Sequence, residues 1–323
     1  MTAAGPLDVS IVMPLHDGAR FLPASIGSCL RELETGVTGE VLVVDDHSTD
    51  DSLAVAKNFG APVRALELGN ASGRSAARNL GLRSAAGTFV KFLDQDDDLE
   101  PGSLREEVAL AAERGADIVV SGYRVAPLAA PADASSPPFP PPALSRGIDS
   151  LLAGESVPTA AALYRRTYLQ DLEWPEPPTK LDDWRFFLGA ALLAGRIERR
   201  SSPAYTWRQH PEQASRAFDL LGNAISFYGV LDWLEEELRR RRELTKPRQV
   251  RLAQYRYKEL RVLCRFDRPR FEREVERIRS LDPAFAPRDE ERQWWMRWAG
   301  RVLGFRRAVV IHTALRAVVS RDA

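Results

Sequence analysis

Four carboxylates fill Asp94-Gln95-Asp96-Asp97-Asp98, directly after the apolar run Phe89-Val90-Lys91-Phe92-Leu93. Adjacent acids repel one another and cannot enter a core unpaired, so packing alone does not account for them. The pattern calls for a cation. Mg²⁺ or Mn²⁺ suits hard oxygen ligands on a short loop and draws its remaining ligands from water and phosphate. Asp94 and Asp96 therefore predict a metal–diphosphate site. The alternative is an acidic turn that caps the next helix, in which Pro101 suits the first turn; it covers Asp98 in particular. A second acidic group is Asp45-Asp46-His47-Ser48-Thr49-Asp50. A third, Leu181-Asp182-Asp183-Trp184, opens an apolar stretch. There the two acids can cap a helix and support its dipole. A helix N-terminus also holds a carboxylate rigidly, which suits a general base, so Asp183 and Asp182 are the candidate catalytic residues.

The surrounding pattern says how these groups meet. Strands are expected at 9–13, stopped by Pro14, and at 40–44, 63–68, 88–93 and 117–123. Helices are expected at 22–34, 50–59 (capped by Ser48 or Thr49), 74–84 and 101–114. Strands alternating with helices imply right-handed βαβ units and a mainly parallel sheet flanked by helices, an α/β fold. Ligands of such sheets lie beyond the carboxyl ends of the strands, where Asp45/Asp46 and Asp94/Asp96 converge. No G-x-G-x-x-G or Walker A sequence follows the first strand, so phosphate charge must be met by metal and arginine. Residues 126–143 hold seven prolines and read as an excursion within the domain. A short helix at 147–154 and a short strand at 159–164 follow.

The 323 residues carry no net formal charge, but the distribution is uneven. Residues 1–217 hold 21 basic and 29 acidic side chains, a net of −8; residues 218–323 hold 24 and 16, a net of +8. This suggests a catalytic domain over 1–217 and a helical, basic region over 218–323. The basic half matches no nucleic-acid-binding motif, so nucleic acid is not an expected partner. Helical patterns run through 248–264 and 269–281. Seven arginines and no acid lie between Arg292 and Arg321, among Trp294, Trp295 and Trp298. Such a segment can lie on an anionic membrane or dock its tryptophans on the preceding helices. Cys29 and Cys264 have no disulfide or metal spacing and read as buried apolar residues in a reduced compartment. With no signal-peptide pattern and no apolar run of about 18 residues, the expectation is a cytoplasmic protein, peripheral on the inner membrane face if its C-terminal helices bind lipid.

Four motifs occur in order: the strand into Pro14; Val43-Val44-Asp45-Asp46; Gly73-Arg74-Ser75-Ala76-Ala77-Arg78-Asn79; and Phe92-Leu93-Asp94-Gln95-Asp96. Together they resemble the inverting glycosyltransferases of family two, which have the GT-A fold. The resemblance is strong over 8–125, weaker to 217 through Asp182-Asp183-Trp184 and Tyr205 to His210, and absent beyond 218. It implies transfer of a sugar from a nucleoside-diphosphate donor, UDP-linked by expectation, to a glycan or lipid-linked acceptor in surface polysaccharide or glycolipid synthesis. It places Asp46 on the nucleotide base, Asp94 on the ribose, Asp96 on the metal, Arg78 on the nucleotide or phosphates and Pro14 at the start of the nucleotide pocket. Asp183 matches the base of the family's Glu-Asp motif, with Asp182 in the glutamate position. His47 replaces a usual glycine, which predicts a differently shaped turn. His210 lies where some such enzymes carry a metal- or phosphate-binding histidine; a loop histidine is otherwise structural or exposed. Two other readings stay open: a catalytically inactive GT-A scaffold, and a nucleotidylyltransferase, although Pro14-Leu15-His16-Asp17-Gly18 lacks the latter's glycine-rich basic loop.

Overall fold

The computed structural model describes residues 7–128, 136–144, 148–151, 157–213 and 219–286, together with Arg307 and Val310. The chain divides into two compact units, residues 1–151 with 155–217, and residues 152–154 with 218–323.

The first unit is built on β1 (Val9–Leu15), β2 (Gly39–Asp45), β3 (Val63–Glu67) and β4 (Phe89–Phe92), with α1 (Leu22–Leu33), α2 (Ser52–Asn58) and α3 (Arg74–Ser84) between them. Then come β5 (Asp98–Leu99), α4 (Ser103–Arg114), β6 (Ile118–Pro127), the short α5 (Ile148–Leu151), β7 (Ala162–Arg165), α6 (Asp182–Leu193) and β8 (Ile197–Gln209). The eight strands form one sheet in the order β3-β2-β1-β4-β7-β6-β8-β5. β1 to β4 are mutually parallel where they pair, β7 is antiparallel to β4 and β6, β6 is parallel to β8, and β5 is antiparallel to β8. Six strands thus share one direction. β1, between β2 and β4, is buried throughout, as its mainly apolar composition allows; its one polar side chain, Ser10, donates to Glu40 at 2.8 Å.

Three local expectations are corrected. β1 does not stop at Pro14, which pairs with Val44. β4 pairs only with Val9 to Val12, so at Pro14 the strand has a partner on one side and tolerates the missing N–H. Neither Ser48 nor Thr49 caps α2, which starts at Ser52 without a side-chain cap on Asp51. Instead Thr49 donates its backbone N–H to Asp17 at 2.6 Å, and the Ser48 hydroxyl accepts from the Asp17 N–H at 3.1 Å. Cys29 is buried, but Cys264 is only half-buried. The 13-residue β8 had no apolar signature to announce it, since Arg, Glu and Ser fill its first half.

Lys91, the one polar residue in β4, is fully buried against Glu107 of α4, with Nζ 2.8 and 2.7 Å from the two carboxylate oxygens. Ser121 of β6 donates to the same carboxylate at 2.7 Å. Glu32, at the end of α1, accepts the N–H groups of Gly102 and Leu104 at 2.7 and 2.9 Å. It thereby satisfies the free donors at the start of α4 that no cap residue reaches. The segment after the acidic loop is thus tied to the core from two sides.

The second unit contains α7 (Leu220–Arg240), α8 (Lys246–Lys258), α9 (Leu260–Phe266) and α10 (Arg268–Leu281). Asp219 caps α7 by accepting from Gly222 N at 3.0 Å. Arg256 is fully buried and donates to Glu274, Asp232 and Glu235 at 2.7, 2.6 and 3.1 Å. Among the described residues no helix is long and apolar enough to cross a membrane. Trp294, Trp295, Trp298 and the arginines from Arg292 to Arg301 lie outside the described residues.

Candidate active site

The acidic loop leaves β4 as Leu93 N donates to Val12 O, and it turns through a bond from Asp97 N to Asp94 O at 3.2 Å. The end of β8 holds it from the other side. Asp97 points inward, 5% exposed, and accepts from Arg208 N at 2.9 Å, while the Arg208 guanidinium grips Asp98 at 2.8 and 2.6 Å. His210 Nε2 lies 2.9 Å from Asp96 Oδ2. Burial, and then the negative charges of Asp96 and Asp94, push the Asp97 carboxyl well above the usual carboxylate range. Asp96 is raised too, by burial and then by Asp94. Asp97 could not be singled out in sequence, because the three consecutive acids Asp96-Asp97-Asp98 look alike until one turns inward.

Gln95, between the two key acids, points to the other side. Its amide accepts from His16 N at 2.9 Å and donates to His16 O at 3.0 Å. His16 Nδ1 in turn lies 2.8 Å from Asp46 O. The loop after β1, which follows the buried Pro14, is therefore locked to both acidic segments. Asp46 lies just beyond β2, and its two carboxylate oxygens accept from Ser72 N and Gly73 N, each at 2.8 Å. His47 adopts φ 57°, the left-handed conformation that glycine takes most easily. Contrary to expectation, the turn is shaped as a glycine would shape it, with Asp45 accepting from Ser48 N at 3.3 Å.

Arg78, on α3, is 3% exposed. It donates to Asp94 Oδ1 at 2.6 Å and lies with its guanidinium carbon 4.4 Å from the centroid of the Trp174 ring. Its Nε and Nη1 are buried without a hydrogen-bond partner among the described residues, and Nη1 is 3.8 Å from Asp182. Arg78 thus connects the acidic loop to the start of α6.

Asp182 and Asp183 fall in the first turn of α6, and the N-cap position is Leu181, not Asp182. The two acids have opposite surroundings. Asp182, 2% exposed, takes a two-pronged grip from Arg74 (Nε to Oδ2 2.7 Å, Nη2 to Oδ1 2.9 Å) and the Ser75 hydroxyl at 3.1 Å. Burial alone would raise its pKa, but Arg74 and Arg78 hold it below the usual range. Asp183 keeps some solvent access, accepts from Trp184 N at 2.7 Å, and forms no ion pair among the described residues. Burial, then the charge of Asp182, raise its pKa, the direction a general base needs.

The pair Asp96–His210 fits a divalent cation chemically. One carboxylate oxygen and one imidazole nitrogen already lie 2.9 Å apart, and repulsion between Asp94 and Asp96 would be relieved by positive charge. The His210 ring lies against Phe21, with centroids 4.5 Å apart. No group of three or more His, Cys, Asp or Glu with metal-site geometry occurs among the described residues. The remaining positions would therefore fall to water and diphosphate.

Residues 10–172, half of the chain, match the family described as Glycosyl transferase family 2. The chain is 28% identical over 250 residues to the poly(ribitol-phosphate) beta-N-acetylglucosaminyltransferase TarS of Staphylococcus aureus, covering 71% of this chain and 40% of TarS. It is 30% identical over 118 residues to WfgD of Escherichia coli, a UDP-Glc:alpha-D-GlcNAc-diphosphoundecaprenol beta-1,3-glucosyltransferase, covering 36% of this chain and 46% of WfgD. The chain thus spans less than half the length of either relative. A crystal structure of a TarS fragment from S. aureus in complex with UDP-GlcNAc superposes with a TM-score of 0.70 at 19% identity, over 96% of this chain and 92% of the fragment. That likeness establishes the GT-A fold expected from the motifs. Sequence match and fold agree: the chain belongs to glycosyl transferase family 2.

Proposed function

We propose that the protein is an inverting glycosyltransferase that moves a sugar from a UDP-sugar to an acceptor hydroxyl in surface polysaccharide or glycolipid synthesis. The observation that carries this reading is how the acids are divided. Asp94 is held by Arg78, Asp96 by His210 and Asp182 by Arg74. Asp183, on a rigid first helical turn, forms no ion pair among the described residues. A set of engaged acids for the donor beside one free, partly accessible carboxylate is what single displacement requires.

In this reading Asp183 accepts the acceptor's hydroxyl proton as the oxygen attacks the anomeric carbon. Attack from the face opposite the diphosphate inverts that carbon, which passes through an oxocarbenium-like state. Asp94, oriented by Arg78, faces the ribose. Pro14 and Asp46 border the nucleotide base, with Asp46 using lone pairs that Ser72 and Gly73 leave free. Asp96 and His210 would hold Mg²⁺ or Mn²⁺, which supplies Lewis-acid stabilisation of the departing diphosphate. The UDP-GlcNAc bound in the TarS structure and the UDP-Glc named for WfgD support a UDP-linked donor. The acceptors in those names, poly(ribitol-phosphate) and a diphosphoundecaprenol-linked sugar, support a glycan or lipid-linked acceptor at the membrane face.

The test is thermal shift with UDP, with and without Mn²⁺, followed by turnover of UDP-GlcNAc and UDP-glucose. A nucleotide at 100 times its Kd stabilises the native state by about 2.7 kcal/mol. Asp96→Ala should lose the Mn²⁺-dependent part of the shift while keeping the unliganded melting temperature. No shift with any nucleoside diphosphate would remove the proposal, and an unchanged Mn²⁺ effect in Asp96→Ala would remove the metal assignment.

A further inference from the structure

We infer that Arg74 is the positioning residue of the base helix: by gripping both oxygens of Asp182 it fixes the first turn of α6 and keeps the Asp183 carboxylate aimed at the acceptor. The inference rests on Asp183 being the base. Three observations lead to it.

Arg74 is the first residue of α3, whose first turn carries no acid. A cation at a helix N-terminus opposes the helix dipole, so its placement has no local rationale and points to a tertiary one. Its partners lie more than a hundred residues away: Asp182 at 2.7 and 2.9 Å, and Thr179 O at 2.7 Å. The fork therefore grips the segment entering α6 at two points. The close approach is built into the backbone. Gly73 has φ 87°, and a Cβ there would lie 2.6 Å from Pro178 Cγ.

The second observation concerns the other available cation. Arg78 Nη1 stops 3.8 Å from Asp182, beyond hydrogen-bond reach, and Arg78 spends its bonded nitrogen on Asp94. Asp182 therefore depends on Arg74 for its two-pronged hold. Third, Asp182 Oδ1 also accepts from Asp183 N at 2.9 Å. The grip on Asp182 passes directly into the backbone of the proposed base.

A glutamate at 182, longer by one C–C bond of about 1.5 Å, would span the gap to Arg78. This predicts a specific rescue. Arg74→Gln should lower kcat about 10-fold or more, because a base displaced by an ångström loses its alignment. KM for UDP-GlcNAc and the UDP thermal shift should stay within about 2-fold of wild type, since donor contacts are untouched. Adding Asp182→Glu to Arg74→Gln should recover most of the lost kcat. Hydrogen exchange gives a readout independent of turnover. Amides of residues 182–186 should exchange faster in Arg74→Gln, and to an intermediate degree in Arg74→Lys, which keeps charge but loses the fork. Wild-type exchange across that turn in either variant overturns the inference, as does a loss of UDP affinity in step with kcat. If the wild-type protein turns over no sugar nucleotide, the proposed function fails, while the exchange experiment still decides whether Arg74 holds the helix.

Discussion

Replacing Lys91 with Met leaves Glu107 charged in a core where both residues are 0% exposed. The wild-type pair is joined by bonds of 2.8 and 2.7 Å, and Ser121 adds a third at 2.7 Å. Removing one member of a buried pair costs about 3–5 kcal/mol, because the partner keeps its desolvation penalty without its counterion. The Ser121 hydroxyl remains on Glu107 and offsets part of this, since a hydrogen bond to a charged group is worth about 1.5–3 kcal/mol. The lower end, about 3 kcal/mol, is therefore expected. For a unit of roughly 200 residues that lowers Tm by about 6–12 °C. The double variant Lys91→Met with Glu107→Gln removes both charges and keeps an acceptor for Ser121. It should recover to within about 1–2 kcal/mol of wild type, as neutral replacements of buried pairs do. Urea unfolding of wild type, both single variants and the double variant measures the coupling directly. The reasoning fails if Lys91→Met costs under about 1 kcal/mol, or if the two single effects simply add.

Asp183→Asn should lower turnover by about 100-fold or more while UDP binding persists, the usual scale for a lost general base. The same substitution should raise Tm at neutral pH, because burial lifts the folded pKa of Asp183 and its ionised form is the destabilising one. The sign follows from linkage: a carboxyl with a raised folded pKa favours the folded state as pH falls through that pKa, so the gain in Asp183→Asn should shrink in mildly acidic solution. Gln95→Ala should raise KM for the donor several-fold in steady-state assays with little change in kcat, because Gln95 holds the His16 backbone at both its N–H and its carbonyl. Gly81→Ala should destabilise by about 1–3 kcal/mol in urea unfolding, because its Cβ would collide with Val12 of β1, which is fully buried.

How much of this was visible in the sequence depended on whether the deciding interaction was local. β1, β2 and β4 could be read because each is a short, mainly apolar run ending in a loop, and burial on both faces demands that composition. The same logic placed Asp46, Asp94 and Asp96 at the strand ends, since a parallel sheet sends its carboxyl ends to one edge. Lys91 stood out as an interruption, but its partner lies on α4, which only packing reveals. β8 stayed hidden because its exposed first half follows no apolar alternation. Yet it delivers Arg208 to Asp97 and Asp98, and His210 to Asp96. The sharpest case is Asp182-Asp183. As adjacent acids opening one helix they share one residue type, and only the resemblance to the family's Glu-Asp motif pointed to Asp183 as the base. Tertiary structure separates them: Arg74 arrives from another helix to bind Asp182, and Asp183 has no ion-pair partner among the described residues. Sequence determines which residues can ionise, but their charge state and freedom depend on burial and on cations brought from distant parts of the chain.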